Sequence, residues 1–176
     1  MTFFKEKLKD IRGFIFDVDG VLSMDTSPLD ENGDPVRTAN VKDGYAMRYA
    51  LLNGFQVAII TGANTPRVEL RYKKLGVEHI YLNSFNKIEC LEEILVKTGL
   101  QKNEFLYMGD DLVDLQVMKQ IGIPTCPLDA VAEIKAVSMY ISDKQGGRGC
   151  VRDVIEQVMR SQGKWLGQEI LNLKAD

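Results

Sequence analysis

The sequence contains little histidine or cysteine. His79 is the single histidine, and Cys90, Cys126 and Cys150 are widely spaced without a Cys-x-x-Cys pair. These counts exclude a two-histidine metal site and argue against Ser-His-Asp chemistry. They predict three reduced thiols in or near the core rather than disulfides or a zinc knuckle. Carboxylates remain as the main groups for acid–base and metal chemistry, and their oxygen atoms favour a hard cation such as Mg²⁺.

An excess of basic residues and long apolar runs are also absent. Lys and Arg number 22 against 25 Asp and Glu, a net charge of -3 that argues against a nucleic-acid partner. The apolar runs are strand-sized and residues 1–5 pass directly into charged sequence, so we expect no membrane span, no targeting segment and a cytoplasmic location. The 176 residues, 45% of them hydrophobic, predict one globular domain over residues 1–176.

Apolar segments alternate with helical patterns along the chain, which is typical of βαβ units. We therefore expect an α/β fold with a doubly wound parallel sheet. The predicted strands are 13–16, 56–60, 80–82, 105–108 and 139–141. The predicted helices are 43–53 with Asp43 as N-cap, one from Thr65-Pro66 to Gly76, 87–97, and one with an apolar face from Val151 to Met159.

Two segments interrupt this alternation. Residues 21–41 are polar and contain the turn signal Asp-Glu-Asn-Gly-Asp at 30–34, which predicts a β-hairpin flap projecting over the end of the first strand. Residues 144–149 form a glycine-rich loop before the last long helix. The tail at 163–176 is amphipathic, and we expect it to pack on a neighbouring subunit.

The most informative stretch is 14–22, where an apolar strand runs into Asp17 and Asp19 and is followed by Gly20. Residues i and i+2 of an extended strand point the same way, so both acids are expected to converge on one site. The isolated Asp-x-Asp pattern carries little weight, whereas the apolar strand followed by Asp-x-Asp-Gly-x-Leu is far more specific.

Polar groups follow the next three strands as well. They are Thr61-Gly62, Asn86-Lys87, and Gly109-Asp110-Asp111 with Asp114. Each has a simpler explanation: a strand terminus, a solvated helix start, or a helix N-cap followed by a first-turn acid. Ligands of doubly wound sheets bind at the carboxyl ends of the strands. Taken together, the four sets predict a site for a phosphate and a divalent cation.

This order of motifs resembles motifs I to IV of the haloacid dehalogenase (HAD) superfamily of aspartyl-phosphate phosphatases, over nearly the whole chain. The resemblance implies that Asp17 is the nucleophile and that Asp19 is first general acid and then general base. It also implies that Asp17, the Asp19 backbone carbonyl and Asp110 hold Mg²⁺. By the same resemblance, the phosphoryl group is held by Thr61, Gly62 and Lys87. Asp111 and Asp114 would orient the groups of the site.

The intervals between these motifs leave no room for a cap domain. Residues 19–61 accommodate only the hairpin and one helix, and residues 61–87 only one helix and one strand. A response-regulator receiver uses similar groups, but its phosphoacceptor lies on the third strand, so that alternative is set aside. We expect a capless HAD/Rossmann-like domain whose site neighbouring subunits close.

Further segments resemble the family of 3-deoxy-D-manno-octulosonate (KDO) 8-phosphate phosphatases. They are 40–45, 68–71, 86–87, 109–112 and 146–152. The resemblance implies a small-molecule substrate that is a phosphorylated sugar acid, Mg²⁺ as cofactor, a role in lipopolysaccharide precursor synthesis, and a homotetramer assembled around the hairpins.

The chain departs from this family after Thr61-Gly62. Ala63 stands where the family often carries an Arg that meets the sugar-acid carboxylate, and where relatives acting on 2-keto-3-deoxynononate 9-phosphate carry a Glu. Arg67 and Arg71, one helical turn apart, are alternative carboxylate ligands, although a solvated helix face is the simpler explanation for them. A related sugar-acid phosphate and a non-catalytic oligomerisation module, as fused to some animal CMP-sialic acid synthetases, remain alternatives.

Overall fold

The computed structural model describes residues 4–165 and contains a six-stranded, entirely parallel sheet of order β3-β2-β1-β4-β5-β6. The strands are β1 (Gly13–Phe16), β2 (Gln56–Ile60), β3 (His79–Tyr81), β4 (Phe105–Met108), β5 (Ile123–Cys126) and β6 (Tyr140–Ile141). Phe16 of β1 is in register with Ile59 and Met108, so the carboxyl ends of the three central strands lie side by side.

Seven α-helices surround the sheet over the described residues. They are α1 (Phe4–Lys7), α2 (Val41–Leu52), α3 (Pro66–Lys73), α4 (Lys87–Thr98), α5 (Leu115–Met118), α6 (Ala132–Val137) and α7 (Cys150–Ser161). Phe14 and Phe16 of β1 pack into one core with α2, α3 and α7, whereas Ile15 packs into a second core with α4, α5 and α6. The alternation of side chains along β1 thus produces a doubly wound sheet that is buried on both faces.

Most predicted elements are confirmed at or within a few residues of their expected bounds. The first, second and fourth strands coincide with their predicted residues, and Pro66 opens α3 after Thr65. β5 was not predicted. The predicted N-cap of α2 is wrong: the Asn40 side chain accepts hydrogen bonds from the backbone N–H groups of Lys42 and Asp43, and Asp43 lies buried inside the helix.

The segment between β1 and α2 begins with a tight turn over Val18–Leu22 and then continues as a loop up to α2. A single antiparallel bridge joins Leu29 to Pro35, and the Asp30 carboxylate closes the loop tip by accepting hydrogen bonds from Asn32 N and Asp34 N. The expected hairpin therefore takes the form of a hairpin-shaped loop with one bridge. No domain is inserted between the described elements.

Three other expectations concern the C-terminal tail, the membrane and the cysteines. The predicted tail at 163–176 lies, beyond residue 165, outside the described residues. Within residues 4–165, none of the helices combines the length and the apolar character that crossing a membrane requires. The three cysteines are free, with Cys126 and Cys150 buried, as their spacing predicts.

Candidate active site

Three carboxylates gather at the carboxyl ends of β1 and β4. Asp17, Asp110 and Asp114 each place one oxygen within 4.8 Å of the others. Asp17 directly follows β1, Asp110 follows β4, and Asp114 ends the short 3-10 turn Leu112–Asp114. Because β1 and β4 pair in register, residues that are distant in sequence meet at one point of the sheet edge.

Lys87 is the cation of this cluster. It is the first residue of α4, and its side chain is buried, with Nζ 2.9 Å from Asp17 Oδ2 and 2.7 Å from Asp114 Oδ1. Asp114 is fully buried and also accepts hydrogen bonds from Tyr107 Oη and from the backbone N–H of Asp110. Lys87 is therefore not a solvated helix-start residue but part of a buried charge network.

The acids of this network have raised pKa values. Burial raises the pKa of Asp17 to about 7, and the charge of Asp114 adds to the effect while Lys87 partly offsets it. Burial, followed by the charges of Asp17 and Asp114, raises the pKa of Asp110 to about 8. For Lys87, burial lowers the pKa, but the charges of Asp17 and Asp114 outweigh it, and the pKa is raised.

The cluster suits a hard divalent cation. All of its donors are carboxylate oxygens, and within the described residues Lys87 is the cation that forms salt bridges with two of its three acids. Oxygen ligands and an excess of negative charge are what Mg²⁺ prefers in proteins. Burial destabilises the charged carboxylates, and a bound cation would relieve that penalty.

Asp19 lies in a more exposed environment than the buried Asp17. Its side chain is 48% exposed and forms a two-pronged ion pair with Arg37, with Arg37 Nε 2.9 Å from Oδ1 and Nη2 3.0 Å from Oδ2. Reasoning from the sequence missed Arg37. It is the sole basic residue in the polar segment 21–41 that was predicted to lie over β1, and that was the available signal.

Thr61 and Gly62 follow β2, the other neighbour of β1. Thr61 is buried, its Oγ1 accepts a hydrogen bond from Ala63 N, and its carbonyl accepts one from Ser84 N. Gly62 is exposed. The loop after β2 is thus tied to the chain after β3, which fixes Thr61 beside the end of β1 and leaves the Gly62 backbone accessible.

Asp111 lies apart from the buried carboxylates. Its side chain is exposed and accepts a hydrogen bond from Leu112 N, which is the geometry of a helix cap. The structure therefore separates the two residues expected to orient the site: Asp114 joins its charge network, whereas Asp111 caps the turn that carries Asp114.

A cavity of about 820 Å³ opens next to these groups. It lies between the loop at residues 30–39 and helix α3, and it is lined by both Gly62 and Ala63. Three arginines face it: Arg37 from the loop, and Arg67 and Arg71 from α3. The structure thus brings the two sequence-predicted arginines to the same cavity as Gly62, with Arg67 exposed and Arg71 half-buried. Val18, next to Asp17 in the chain, also lines it.

The sheet order and the strand-end carboxylates define a hydrolase of the HAD class. No family model matches the chain. The KDO 8-phosphate phosphatase KdsC of Escherichia coli K12 is 38% identical over 158 residues, which are 90% of this chain and 84% of the relative. That of Yersinia pestis is 33% identical over 168 residues, 96% and 90% of the two chains. The chain belongs to the family of KDO 8-phosphate phosphatases.

Solved structures agree with this assignment. A KDO 8-phosphate phosphatase from Moraxella catarrhalis, in complex with magnesium, phosphate and KDO, superposes with a TM-score of 0.88 at 32% identity, covering 97% of each chain. The cobalt-bound phosphatase from Haemophilus influenzae has a TM-score of 0.89 at 28% identity, covering 96% of this chain and 99% of the other.

Proposed function

We propose that the protein is a Mg²⁺-dependent phosphomonoester hydrolase that converts KDO 8-phosphate to KDO and phosphate through an aspartyl-phosphate. The observation that carries the proposal is the buried Asp17–Lys87–Asp114 network with Asp110 beside an arginine-lined cavity. The relatives named for this activity and the Moraxella catarrhalis complex support the choice of substrate.

The first chemical step is displacement at phosphorus. Asp17 attacks the phosphoryl group, and Asp19 gives a proton to the departing sugar alkoxide, which is otherwise a poor leaving group. Mg²⁺, held by the carboxylates of Asp17 and Asp110 and the Asp19 backbone carbonyl, would supply positive charge that lowers repulsion between nucleophile and phosphate. Lys87 restrains the Asp17 carboxylate at 2.9 Å and so presents it to the substrate.

The second step is hydrolysis of the aspartyl-phosphate. Asp19, now a carboxylate, accepts a proton from the attacking water and thereby returns to its acid form. The Thr61 hydroxyl, the Gly62 N–H and Lys87 donate hydrogen bonds to the phosphoryl oxygens through both steps. Because Asp19 is half-exposed, it can exchange its proton with solvent, whereas the buried Asp17 cannot do so as readily.

The cavity arginines provide recognition of the sugar acid. An arginine fork matches the two oxygens of a carboxylate, and Arg67 and Arg71 stand one turn apart on α3 at the cavity wall. They would take over the role that the residue after Thr-Gly often has in this family, since Ala63 has no polar group there. Because Ala63 is neither the Arg often found there nor the Glu of relatives acting on 2-keto-3-deoxynononate 9-phosphate, a related sugar-acid phosphate such as this one stays the second candidate substrate.

The proposal extends to the whole molecule. We infer that residues 1–176 form one catalytic domain, with the flap at 21–41 and the tail at 163–176, and that four copies assemble into a cytoplasmic homotetramer serving lipopolysaccharide precursor synthesis. The exposed side chains of Phe85, Leu112 and Val113, next to Lys87 and Asp111 in the chain, support assembly at the rim of the site. A retained charge network disfavours a purely structural module.

Phosphate release tests the proposal. The substrates are KDO 8-phosphate, the nine-carbon 9-phosphate and simple sugar phosphates, each with Mg²⁺ and with EDTA. We expect Mg²⁺-dependent release with the highest kcat/KM for KDO 8-phosphate. Preference for the nine-carbon compound would change the assigned substrate but not the assigned mechanism. If none of the compounds is hydrolysed, the protein acts as the non-catalytic oligomerisation module.

A further inference from the structure

Two sequence segments without a role in the chemistry meet in the structure. The Asn40 side chain donates a hydrogen bond from Nδ2 to the carbonyl of Gly147, at 3.1 Å. Three residues on, the Asp43 carboxylate accepts one from the backbone N–H of Arg152, at 2.8 Å. The start of α2 is therefore tied to the start of α7 and to the glycine loop that precedes it, residues 144–149.

On its other side, the glycine loop packs backbone against backbone on the turn Val18–Leu22. Gly147 N donates to the carbonyl of Val21 at 2.7 Å, and Cys150 Sγ donates to the same carbonyl at 3.3 Å. A Cβ on Gly146 would overlap the Gly20 carbonyl, and one on Gly147 would come within 2.6 Å of Met24 N. This approach is possible only because positions 146 and 147 carry no side chain.

The turn that the loop contacts is the one that carries Asp19. Gly20, with a φ of 73°, lies directly against Asp110: a Cβ on Gly20 would overlap the Asp110 carboxylate. The Gly20 carbonyl lies against Gly146 on one side, and its Cα lies against Asp110 on the other. A displacement of the loop would therefore move the residue next to Asp19.

We propose that the glycine loop, held by Asn40, is a positioning element that fixes the orientation of Asp19 for proton transfer to the leaving group. The inference rests on the proposed role of Asp19 as general acid. It assigns a function to Gly146, Gly147 and Asn40, none of which contacts the reacting atoms. Misplacement of a catalytic group by about 1 Å costs on the order of a hundredfold in rate.

The test uses two substrates whose leaving groups differ. A sugar alkoxide needs a proton from Asp19, whereas p-nitrophenolate leaves as a stable anion without one. kcat/KM reports only the steps up to transfer of the phosphoryl group, so it isolates the acid role from the later base role. Asp19→Asn is measured first, and we expect a much larger loss for KDO 8-phosphate than for p-nitrophenyl phosphate.

Gly146→Ala is the main variant, because the φ of Gly146 is not positive and the three atoms nearest to the added methyl group all belong to Gly20. We expect kcat/KM to fall about a hundredfold for KDO 8-phosphate and less than about threefold for p-nitrophenyl phosphate. The control is Gly99→Ala, which strains a helix end with a φ of 71° and open space around it. It should lower the Tm and leave unchanged the ratio of kcat/KM for KDO 8-phosphate to kcat/KM for p-nitrophenyl phosphate.

Asn40→Asp provides an independent variant should Gly146→Ala not fold. It keeps the oxygen that caps α2 but loses the donor to Gly147 and sets a carboxylate against that carbonyl. Asn53→Asp is its matched control at the other end of α2, where Asn53 Nδ2 donates to the Tyr49 carbonyl. Only Asn40→Asp should lower the ratio of the two kcat/KM values.

The outcomes separate the two proposals. If Asp19→Asn lowers kcat/KM equally for both substrates, Asp19 is not the general acid. The inference is overturned if Asp19→Asn lowers kcat/KM mainly for KDO 8-phosphate while Gly146→Ala and Asn40→Asp lower it equally for both substrates. In that case the loop does not position Asp19. Selective loss in all three variants supports it.

Discussion

Asp114 is the side chain that joins the charged groups of the site. It is fully buried and accepts hydrogen bonds from Lys87, Tyr107 and the backbone of Asp110. Through these bonds it holds the lysine of α4 against the acid of β1 and fixes the backbone after β4. Removal of any of these donors would leave part of the carboxylate unpaired in a buried environment, which is costly.

The raised carboxyl pKa values have a definite consequence for stability. Both folded-state values, about 7 for Asp17 and about 8 for Asp110, exceed the ordinary 3.8. Between about pH 4 and pH 8, these two groups therefore bind more protons in the folded chain than in the unfolded chain, and their contribution to the free energy of unfolding falls as the pH rises.

We predict that Mg²⁺ raises the Tm more at about pH 8.5 than at about pH 5.5, because the cation binds the charged carboxylates and competes with protons. The measurement is thermal unfolding in Mg²⁺ and in EDTA at both pH values. Asp110→Asn should raise the Tm in EDTA at high pH and abolish most of the Mg²⁺ effect. An equal Mg²⁺ effect at both pH values would contradict the assignment of these acids as ligands.

Asp17→Asn should remove turnover and preserve the fold. The amide keeps the shape of the side chain but cannot attack phosphorus, so we expect phosphate release below about one thousandth of the parent rate. Asp143→Asn, the same change at an exposed acid paired with Lys144, is the control and should retain activity. Circular dichroism checks folding, and rapid acid quenching of the parent enzyme during turnover should trap the phosphoryl group on Asp17, from which hydroxylamine releases it.

Among individual side chains, the sequence predicts the strand-end acids because their positions follow directly from the apolar strands before them. It does not predict the Arg37–Asp19 pair, since Arg37 lies in an irregular loop whose path depends on tertiary contacts. Nor does it distinguish Asp111 from Asp114. Only the short 3-10 turn decides which acid is buried and which caps the turn.

Among the elements, β5 shows where sequence patterns fail. Its residues Ile123–Cys126 include Pro124 and Thr125, which weaken the apolar signal of a buried strand. The N-cap of α2 fails for a different reason, because Asn40 and Asp43 are both good N-cap residues. Burial and the contact with the α7 backbone assign Asp43 to the interior of the helix, and neither is local in sequence.

Helix α3 carries the prediction that concerns recognition. Arg71→Ala should raise KM for KDO 8-phosphate about 10- to 100-fold, because a charged hydrogen bond to the substrate carboxylate is lost. For arabinose 5-phosphate, which has no carboxylate, KM should change little. Steady-state kinetics of both substrates check this.

Lys73→Ala is the matched control for Arg71→Ala. Lys73 lies on the same helix but is exposed and pairs with Glu69, so its removal should leave both KM values unaltered. An Arg71→Ala variant that raises both KM values equally would mean that Arg71 supports the phosphate site or the helix rather than the carboxylate.

For the whole molecule, we predict a particle of four times the monomer mass by light scattering. The exposed Phe85, Leu112 and Val113 stand at the rim of the site, and apolar side chains of this kind favour burial against another subunit. Phe85→Glu should shift the mass towards smaller species and lower kcat/KM for KDO 8-phosphate more than for p-nitrophenyl phosphate. A parent protein that remains monomeric at micromolar concentration would contradict this prediction.

The absence of a cap between the described elements also affects the kinetics of access. Many enzymes must open a hinged lid before product leaves, and that motion then limits turnover. Here the cavity between the flap and α3 has no inserted domain to swing away. We therefore expect no hinged-domain motion to limit turnover, and association rates that respond to solvent viscosity and ionic strength.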